Sequence, residues 1–124
     1  LTQMLENEAR IIINMCSIAS SLAEVAGHAL YFLKHALAGF TKQLALDYAE
    51  AGIQVFGIAP GAVKTGMTAA DLNQGFADWV ASETPIKRWI EPEEVAEVSL
   101  FLASGKATAM QGQILTIDGG WSLK

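Results

Sequence analysis

Charge and cysteine are both scarce in this sequence. Of its 124 residues only 17% are charged, with 8 Lys and Arg against 13 Asp and Glu and a net charge of −5. This acidic balance argues against nucleic acid or an anionic membrane as the main partner. The single cysteine, Cys16, excludes an internal disulfide framework and is typical of a reducing compartment, so we expect a cytoplasmic location.

Long apolar runs and metal-ligand patterns are also missing. No run reaches the roughly 18 residues that cross a bilayer. Glu6, Glu8 and Arg10 interrupt the amino-terminal residues where a signal peptide would be apolar, so no membrane association is expected. The two histidines, His28 and His35, do not stand at ligand spacing with each other or with the cysteine, and no metal site is predicted.

Apolar residues, in contrast, make up 52% of the chain. A chain of this length is limited to one domain and can bury a core without disulfide bonds. Its charged fraction lies below the roughly 25% of ordinary globular domains. The sequence therefore has more apolar residues than a lone small domain needs, and we expect part of its surface to pack against something else.

Apolar runs alternate with helical patterns along the chain. β-Branched runs predict buried strands at Ile11–Cys16, Ile53–Ile58 and Ile114–Ile117. An apolar period of three to four residues predicts a helix from about residue 29 to 51, closed by Gly52 at C′, and Pro92 opens a helix that ends before Gly105. This alternation predicts an α/β fold with a parallel sheet. Three strands are few for a doubly wound sheet, so residues 1–124 are interpreted as a single partial domain.

Polar residues and glycines gather at the ends of the predicted strands. In open parallel sheets, ligands bind in the crevice at the carboxyl ends of the strands. The first strand leads into Asn14–Ser17, the second into Ala59–Thr65 and the third into Asp118–Gly120. Tyr31 and Lys34 follow the first of these ends, at the start of the long helix.

These strand ends and the helices between them resemble the short-chain dehydrogenase/reductase family. The likeness covers nearly the whole chain but only the second half of a family member. It rests on five segments in the family's order and spacing: Ile13–Ser17, Lys34–Lys42, Pro60–Thr65, Glu91–Ala96 and Asp118–Gly120. The resemblance implies the C-terminal half of a doubly wound, Rossmann-like α/β fold, whose dinucleotide-binding half is absent.

The resemblance implies a nicotinamide-dependent oxidoreductase that interconverts a carbonyl and a secondary alcohol of a small-molecule substrate, with NAD or NADP as cofactor. By family matching, Ser17 holds the substrate oxygen, and Lys34 assists the family's tyrosine and binds the nicotinamide ribose. Tyr31, the tyrosine nearest to the family position, is the candidate acid or base. A free phenol has a pKa near 10, so such a tyrosine needs a neighbouring cation. The segment expected to contact the nicotinamide amide and the phosphates contributes Pro60, Gly61, Val63 and Thr65.

Two departures from the family pattern bear on activity. The family's tyrosine precedes the lysine by four residues, whereas here Leu30 takes that position and Tyr31 stands three before Lys34. This shift turns the phenol by about 100° around the helix axis, although i,i+3 neighbours can still touch. The glycine-rich turn that cradles the dinucleotide phosphates belongs to the family's first half, so we expect this chain alone to bind no dinucleotide tightly and to show no turnover.

Several alternatives stay open. Either upstream sequence was lost or not read, or a separate chain supplies the first half. Family members commonly pair the long helix with its copy, so a homodimer or homotetramer is expected. The rival hypothesis is a non-catalytic association module, an inactive half-domain in which Leu30 marks lost acid–base chemistry.

Structural roles are the alternative for each candidate residue. Ser17 could cap a turn, Tyr31 could pack in the core and Lys34 could be solvated. The three tryptophans favour packing over a substrate pocket. On the resemblance alone, the segment from Thr68 to Trp89 is expected to act as a substrate lid.

Overall fold

The structure is a computed structural model that describes residues 1–6, 10–21, 28–66, 68 and 74–124. The described helices are α1 (Thr2–Glu6), α2 (His28–Tyr48), α3 (Gln74–Glu83) and α4 (Pro92–Ala103). The strands are β1 (Ile11–Met15), β2 (Gln54–Pro60) and β3 (Ile114–Ile117). Short 3₁₀ turns lie at Ile18–Ser20, Thr108–Met110 and Trp121–Leu123.

The three strands form one parallel sheet in the order β1-β2-β3, which confirms the predicted α/β class. Side chains alternate across the strands, so each face of the sheet has its own apolar cluster. On one face Leu44 and Ala45 of α2 pack with Val55 of β2. On the opposite face Leu102 of α4 packs with Phe56 of β2. The sheet is therefore covered by helices on both sides, as the buried apolar strands predict.

The two crossover connections of the sheet have opposite hand. The connection from β1 to β2 runs through α2 on one face, and the connection from β2 to β3 runs through α4 on the other face. Because the strands advance in the same direction across the sheet, a change of face reverses the hand. Right-handed crossovers are the general rule, so one of the two departs from it, which the sequence pattern did not indicate.

The predicted boundaries differ from the structure in detail. The long helix ends at Tyr48 rather than near residue 51, and Gly52 lies in the turn after it with a φ of 76° instead of at C′. Strand β2 continues two residues further than predicted, to Pro60. Of the loop expected from Ser17 to His28, residues 18–20 form a 3₁₀ turn and His28 begins α2, while residues 22–27 lie outside the described residues. None of the described helices is long and apolar enough to span a membrane.

Gln111 joins three elements at the amino-terminal end of the sheet. Its Oε1 accepts a hydrogen bond from the Val55 N–H at 2.9 Å. Its Nε2 donates to the carbonyl oxygens of Ala45 and Ile53, both at 2.9 Å. Val55, Ala45 and Ile53 are buried, so the amide of one side chain satisfies backbone groups that water does not reach. This role was not predicted, because it depends on how α2 and β2 meet.

Gln111→Ala should lower the free energy of unfolding by about 2–4 kcal/mol, because it leaves a buried N–H and two buried carbonyl groups without partners. The measurement is urea denaturation followed by circular dichroism. Gln113→Ala is the matched control, since Gln113 is exposed and no hydrogen bond joins its side chain to another described residue. Equal unfolding midpoints for the two variants would contradict the role given to Gln111.

Candidate active site

The carboxyl ends of the three strands bring the predicted segments to one edge of the sheet. Met15 lies opposite Ile58, and Pro60 lies opposite Ile117. Gly61, directly after β2, donates its N–H to the Ile117 carbonyl at 2.9 Å. The backbone at Gly61 is so close to the turn after β3 that a Cβ there would lie 2.9 Å from the Asp118 Cβ. A glycine is thus required at position 61 for packing.

Ser17 caps the short 3₁₀ turn that follows β1. Its Oγ accepts a hydrogen bond from the Ala19 N–H at 3.2 Å, and its own N–H donates to the Ser20 Oγ at 3.3 Å. The capping role considered for Ser17 is therefore present in the structure. A hydroxyl that accepts one hydrogen bond can still donate its own hydrogen to a ligand, so capping and binding are compatible.

Lys34 lies against the end of β1. Its Nζ donates to the Met15 carbonyl oxygen at 2.8 Å. A second hydrogen bond joins α2 to β1. The Asn14 Nδ2 donates to the buried Thr41 Oγ1 at 2.9 Å. The ammonium of Lys34 therefore bonds a carbonyl two residues before Ser17.

Tyr31 lies one turn before Lys34 on α2. At about 100° per residue, Tyr31 is about 60° from Lys34 around the helix axis, and Leu30 is about 40° away on the other side. Tyr31 is half-buried, whereas the Leu30 side chain is 48% exposed. Among the described residues no hydrogen bond joins the Tyr31 hydroxyl to Ser17 or Lys34. The structure thus brings Ser17 and Lys34 to one strand end and leaves Tyr31 adjacent to them in sequence only.

The second strand end continues into a segment held by the residues before α4. The Ala62 carbonyl accepts from the Ile90 N–H at 2.9 Å, and the Lys64 N–H donates to the Ile90 carbonyl at 3.0 Å. The Lys64 Nζ forms an ion pair with Glu91. No role was predicted for Lys64 or for this pairing, because residues 27 apart in sequence meet only through the fold.

Thr65 begins a helical turn through a reciprocal pair of hydrogen bonds. Its N–H donates to the Thr68 Oγ1 at 2.8 Å, and its Oγ1 accepts from the Thr68 N–H at 3.3 Å. This is the arrangement of a capping box. The four predicted residues of this segment lie at the same sheet edge: Pro60, Gly61, Val63 and Thr65. In this structure the N–H and the Oγ1 of Thr65 bond to Thr68.

Asp118 closes the third strand end. Its buried carboxylate accepts hydrogen bonds from the Gly120 N–H at 2.9 Å and the Ser122 N–H at 2.8 Å. Burial opposes ionisation, but the hydrogen bonds from Ser122 and Gly120 outweigh it and hold the pKa of Asp118 below its ordinary value. The ionised carboxylate fixes the turn that packs on Gly61.

Aromatic side chains anchor α3 beside this edge. The Trp89 Nε1 donates to the Ala77 carbonyl at 2.9 Å, and the rings of Trp79 and Trp121 meet edge-on with centroids 6.1 Å apart. Trp89 and Trp121 are half-buried, and Trp79 is 51% exposed. The tryptophans therefore have packing contacts, as the sequence favoured.

Known proteins resemble both the sequence and the fold. A family model described as enoyl-(acyl carrier protein) reductase matches residues 1–122. Gluconate 5-dehydrogenase of Gluconobacter oxydans is 36% identical over 110 residues, which are 88% of this chain and 43% of that protein. The 5-keto-D-gluconate 5-reductase of Escherichia coli K12 is 36% identical over 118 residues, 94% of this chain and 46% of that protein.

Solved structures show the same architecture. The crystal structure of a gluconate 5-dehydrogenase from Burkholderia cenocepacia in complex with NADP and tartrate superposes with a TM-score of 0.91 at 34% identity, covering 99% of this chain and 49% of that one. A 4-hydroxyisoleucine dehydrogenase complexed with NADH gives a TM-score of 0.86 at 27% identity, covering 99% and 51%.

The fold is that of the second half of a doubly wound, Rossmann-like α/β domain. The chain belongs to the short-chain dehydrogenase/reductase family, as the five sequence segments predicted. It spans about half the length of the curated relatives it matches.

The pKa of Glu94 is lowered to about 2, first by its hydrogen bonds from Arg88 and then by the Glu91 N–H. Because the folded state holds this proton more weakly than the unfolded chain, the contribution of Glu94 to stability is complete above its ordinary pKa of 4.5 and is lost as the pH falls towards 2. The urea midpoint of the wild type should therefore exceed that of Glu94→Gln at neutral pH. The difference between the two midpoints should become smaller at about pH 3. Glu97→Gln, an exposed change on the same helix, is the matched control. A constant difference between wild type and Glu94→Gln over this pH range would contradict the assignment.

Proposed function

We propose that this chain is the second half of an NAD(P)-dependent oxidoreductase that interconverts a carbonyl and a secondary alcohol. The observation that carries the proposal is the hydrogen bond from Lys34 to the Met15 carbonyl, which holds an ammonium at the same strand end as the Ser17 hydroxyl. Relatives named for gluconate and 5-keto-D-gluconate support a small polyhydroxy acid as the substrate. Homo-oligomerisation through α2 and a cytoplasmic location remain part of this proposal.

The residues at the sheet edge have the chemistry that this reaction needs. The Ser17 hydroxyl donates a hydrogen bond to the substrate oxygen and orients it. The Tyr31 phenol gives its proton to that oxygen during reduction and takes it back during oxidation. The Lys34 ammonium lies on the same side of α2 and offers positive charge to the phenolate that forms. These roles need a movement of the Tyr31 side chain or the first turn of α2 to bring the phenol to Ser17.

The donor groups present also fit one end of a nicotinamide cofactor. NAD(P), when bound, supplies or accepts the hydride. Lys34 would hold the ribose hydroxyls, and the backbone of Pro60, Gly61, Val63 and Thr65 would line the nicotinamide amide and the adjoining phosphate. No glycine-rich phosphate turn occurs in the 124 residues, so the remainder of the dinucleotide needs residues from another segment.

The open edge of the sheet supports a missing half. Within the part of the chain that the structure describes, β1 pairs only with β2. Cys16 and Arg10 bond to β2, and because alternate residues of a parallel strand face the same neighbour, Ile11, Ile13 and Met15 direct their N–H and carbonyl groups outward. Beside this edge a groove of about 710 Å³ has an apolar lining that includes Ile13, Met15, Val95, Leu100 and Ala103.

Helix α1 indicates how the missing half attaches. Met4 packs on the α2 face of the sheet, so α1 lies on the same face as α2. If the crossover before β1 has the same hand as the one after it, the preceding strand lies parallel to β1 at its open edge. We infer that a segment carrying the glycine-rich turn completes the sheet there.

The intact mass of the native protein tests this part of the proposal. A polypeptide of about twice 13.2 kDa would show that one chain carries both halves, since a two-half domain needs about twice the residues. A 13.2 kDa chain that copurifies with a second polypeptide would show that the halves are separate. A 13.2 kDa chain isolated alone, with β1 unpaired, would contradict the proposed completion.

Activity of the complete protein tests the proposed chemistry. With 5-keto-D-gluconate and NADH or NADPH, Tyr31→Phe should lower kcat by about 10²- to 10⁴-fold, because the proton donor is lost. Tyr48→Phe is the matched control at the far end of α2.

Lys34→Ala should abolish turnover, whereas Lys42→Ala, two turns further along an exposed face, should not. Retained turnover in Lys34→Ala would overturn the assignment of Lys34.

A second candidate is a non-catalytic association module, and the exposed apolar side chains of α2 favour it. Phe32, Leu33 and Leu46 are 73%, 61% and 73% exposed, more than a helix facing water normally leaves uncovered. The Leu30→Tyr variant separates the candidates. If Tyr31→Phe has no effect and Leu30→Tyr raises carbonyl reduction, this chain lacks its acid–base group, and association is the function that remains.

A further inference from the structure

The segment from Pro60 to Thr65 contacts the turn after β3 at one end only. At Gly61 the hydrogen bond to the Ile117 carbonyl and the close approach to Asp118 leave no space for movement toward β3. Val63 and Thr65 lie beyond this contact in the chain. Their position has to be set by something other than β3.

Residues 90 and 91 supply that second attachment. Two backbone hydrogen bonds join Ile90 to Ala62 and Lys64, and the ion pair of Lys64 with Glu91 lies directly beside them. Val63 stands between the two bonded residues and forms an isolated bridge with Ile90. The segment is thus attached on both sides of Val63 and next to Thr65.

Glu91 is itself held in place. Its N–H donates to the Glu94 Oε2 at 2.9 Å, and Glu94 receives two hydrogen bonds from Arg88, at 2.7 and 2.9 Å. A cluster of alternating charges lies at the start of α4 and consists of Lys64, Glu91, Arg88 and Glu94. A lone exposed ion pair contributes little, but a network with a bidentate arginine–carboxylate pair keeps a defined geometry.

We propose that Glu91 is a positioning residue for the cofactor-binding segment, which it fixes through Lys64. This inference rests on the proposed function, in which Val63 and Thr65 contact NAD(P). Glu91 itself touches neither cofactor nor substrate, and it lies on the helix start rather than among the acid–base residues. Its loss therefore affects cofactor binding and leaves the proton-transfer step unchanged.

Glu91→Gln tests the proposal in the complete protein, because the amide keeps the shape of the side chain but not its charge. The KM for NADH or NADPH should rise about two- to five-fold at low salt, with kcat unchanged. Added salt should raise the wild-type KM towards that of the variant, since the ion pair is exposed. Glu93→Gln is the matched control: Glu93 is exposed in the same turn and has no ion pair among the described residues.

Exchange of the two charges separates positioning from a general effect on folding. Lys64→Glu alone places two carboxylates together and should raise the cofactor KM further. The double variant Lys64→Glu, Glu91→Lys should return it towards the wild-type value. An unchanged KM in Glu91→Gln, or no recovery in the double variant, would overturn the proposal. A wild-type protein that binds neither NADH nor NADPH would overturn the proposed function as well, so the two failures are distinguishable.

Discussion

Parallel pairing of three strands decides where every candidate residue of this protein lies. Each strand is short, and its carboxyl end meets the others at one edge, where Ser17, Gly61 and Asp118 follow β1, β2 and β3. A slip of one residue would turn each strand's apolar set to the other face. The separate clusters around Val55 and Phe56 fix the register because α2 and α4 bury opposite faces. The site thus depends on the core first and on its polar groups second.

The edge of β1 that faces away from β2 has no neighbouring strand among the described residues. This leaves an apolar strand with an open edge, and natural proteins normally cover or interrupt such an edge. Here Met15 is 49% exposed at that edge and Leu100 is 66% exposed beside it. The high apolar content of the sequence has its structural counterpart in these surfaces and in α2. They are the surfaces that a second half of the fold or a second copy would bury.

Patterns that act along the chain were readable from the sequence, whereas contacts across the fold were not. Periodicity located β1, β3 and α4 almost to the residue, because burial dictates apolar spacing. That apolar spacing did not predict that the two crossovers have opposite hand. Gln111 and the pair of Lys64 with Glu91 were missed for a related reason: their partners are far away in sequence and are ordinary polar groups. Ser17 shows the intermediate case, since a serine at a strand end suits both a cap and a ligand.

The position of the phenol decides between an enzyme and an inactive relative. On a regular helix Leu30 and Tyr31 lie on either side of Lys34, about 40° and 60° away, so neither spacing alone excludes contact with the ammonium. Burial distinguishes them: Tyr31 is half-buried and Leu30 is 48% exposed. Lys34 bonds Met15 at the strand end, so its ammonium lies beside β1. Tyr31 thus stands one residue away from the family position and makes no hydrogen bond to Ser17 or Lys34 among the described residues, so the conformation of the first turn of α2 decides whether its phenol can act there.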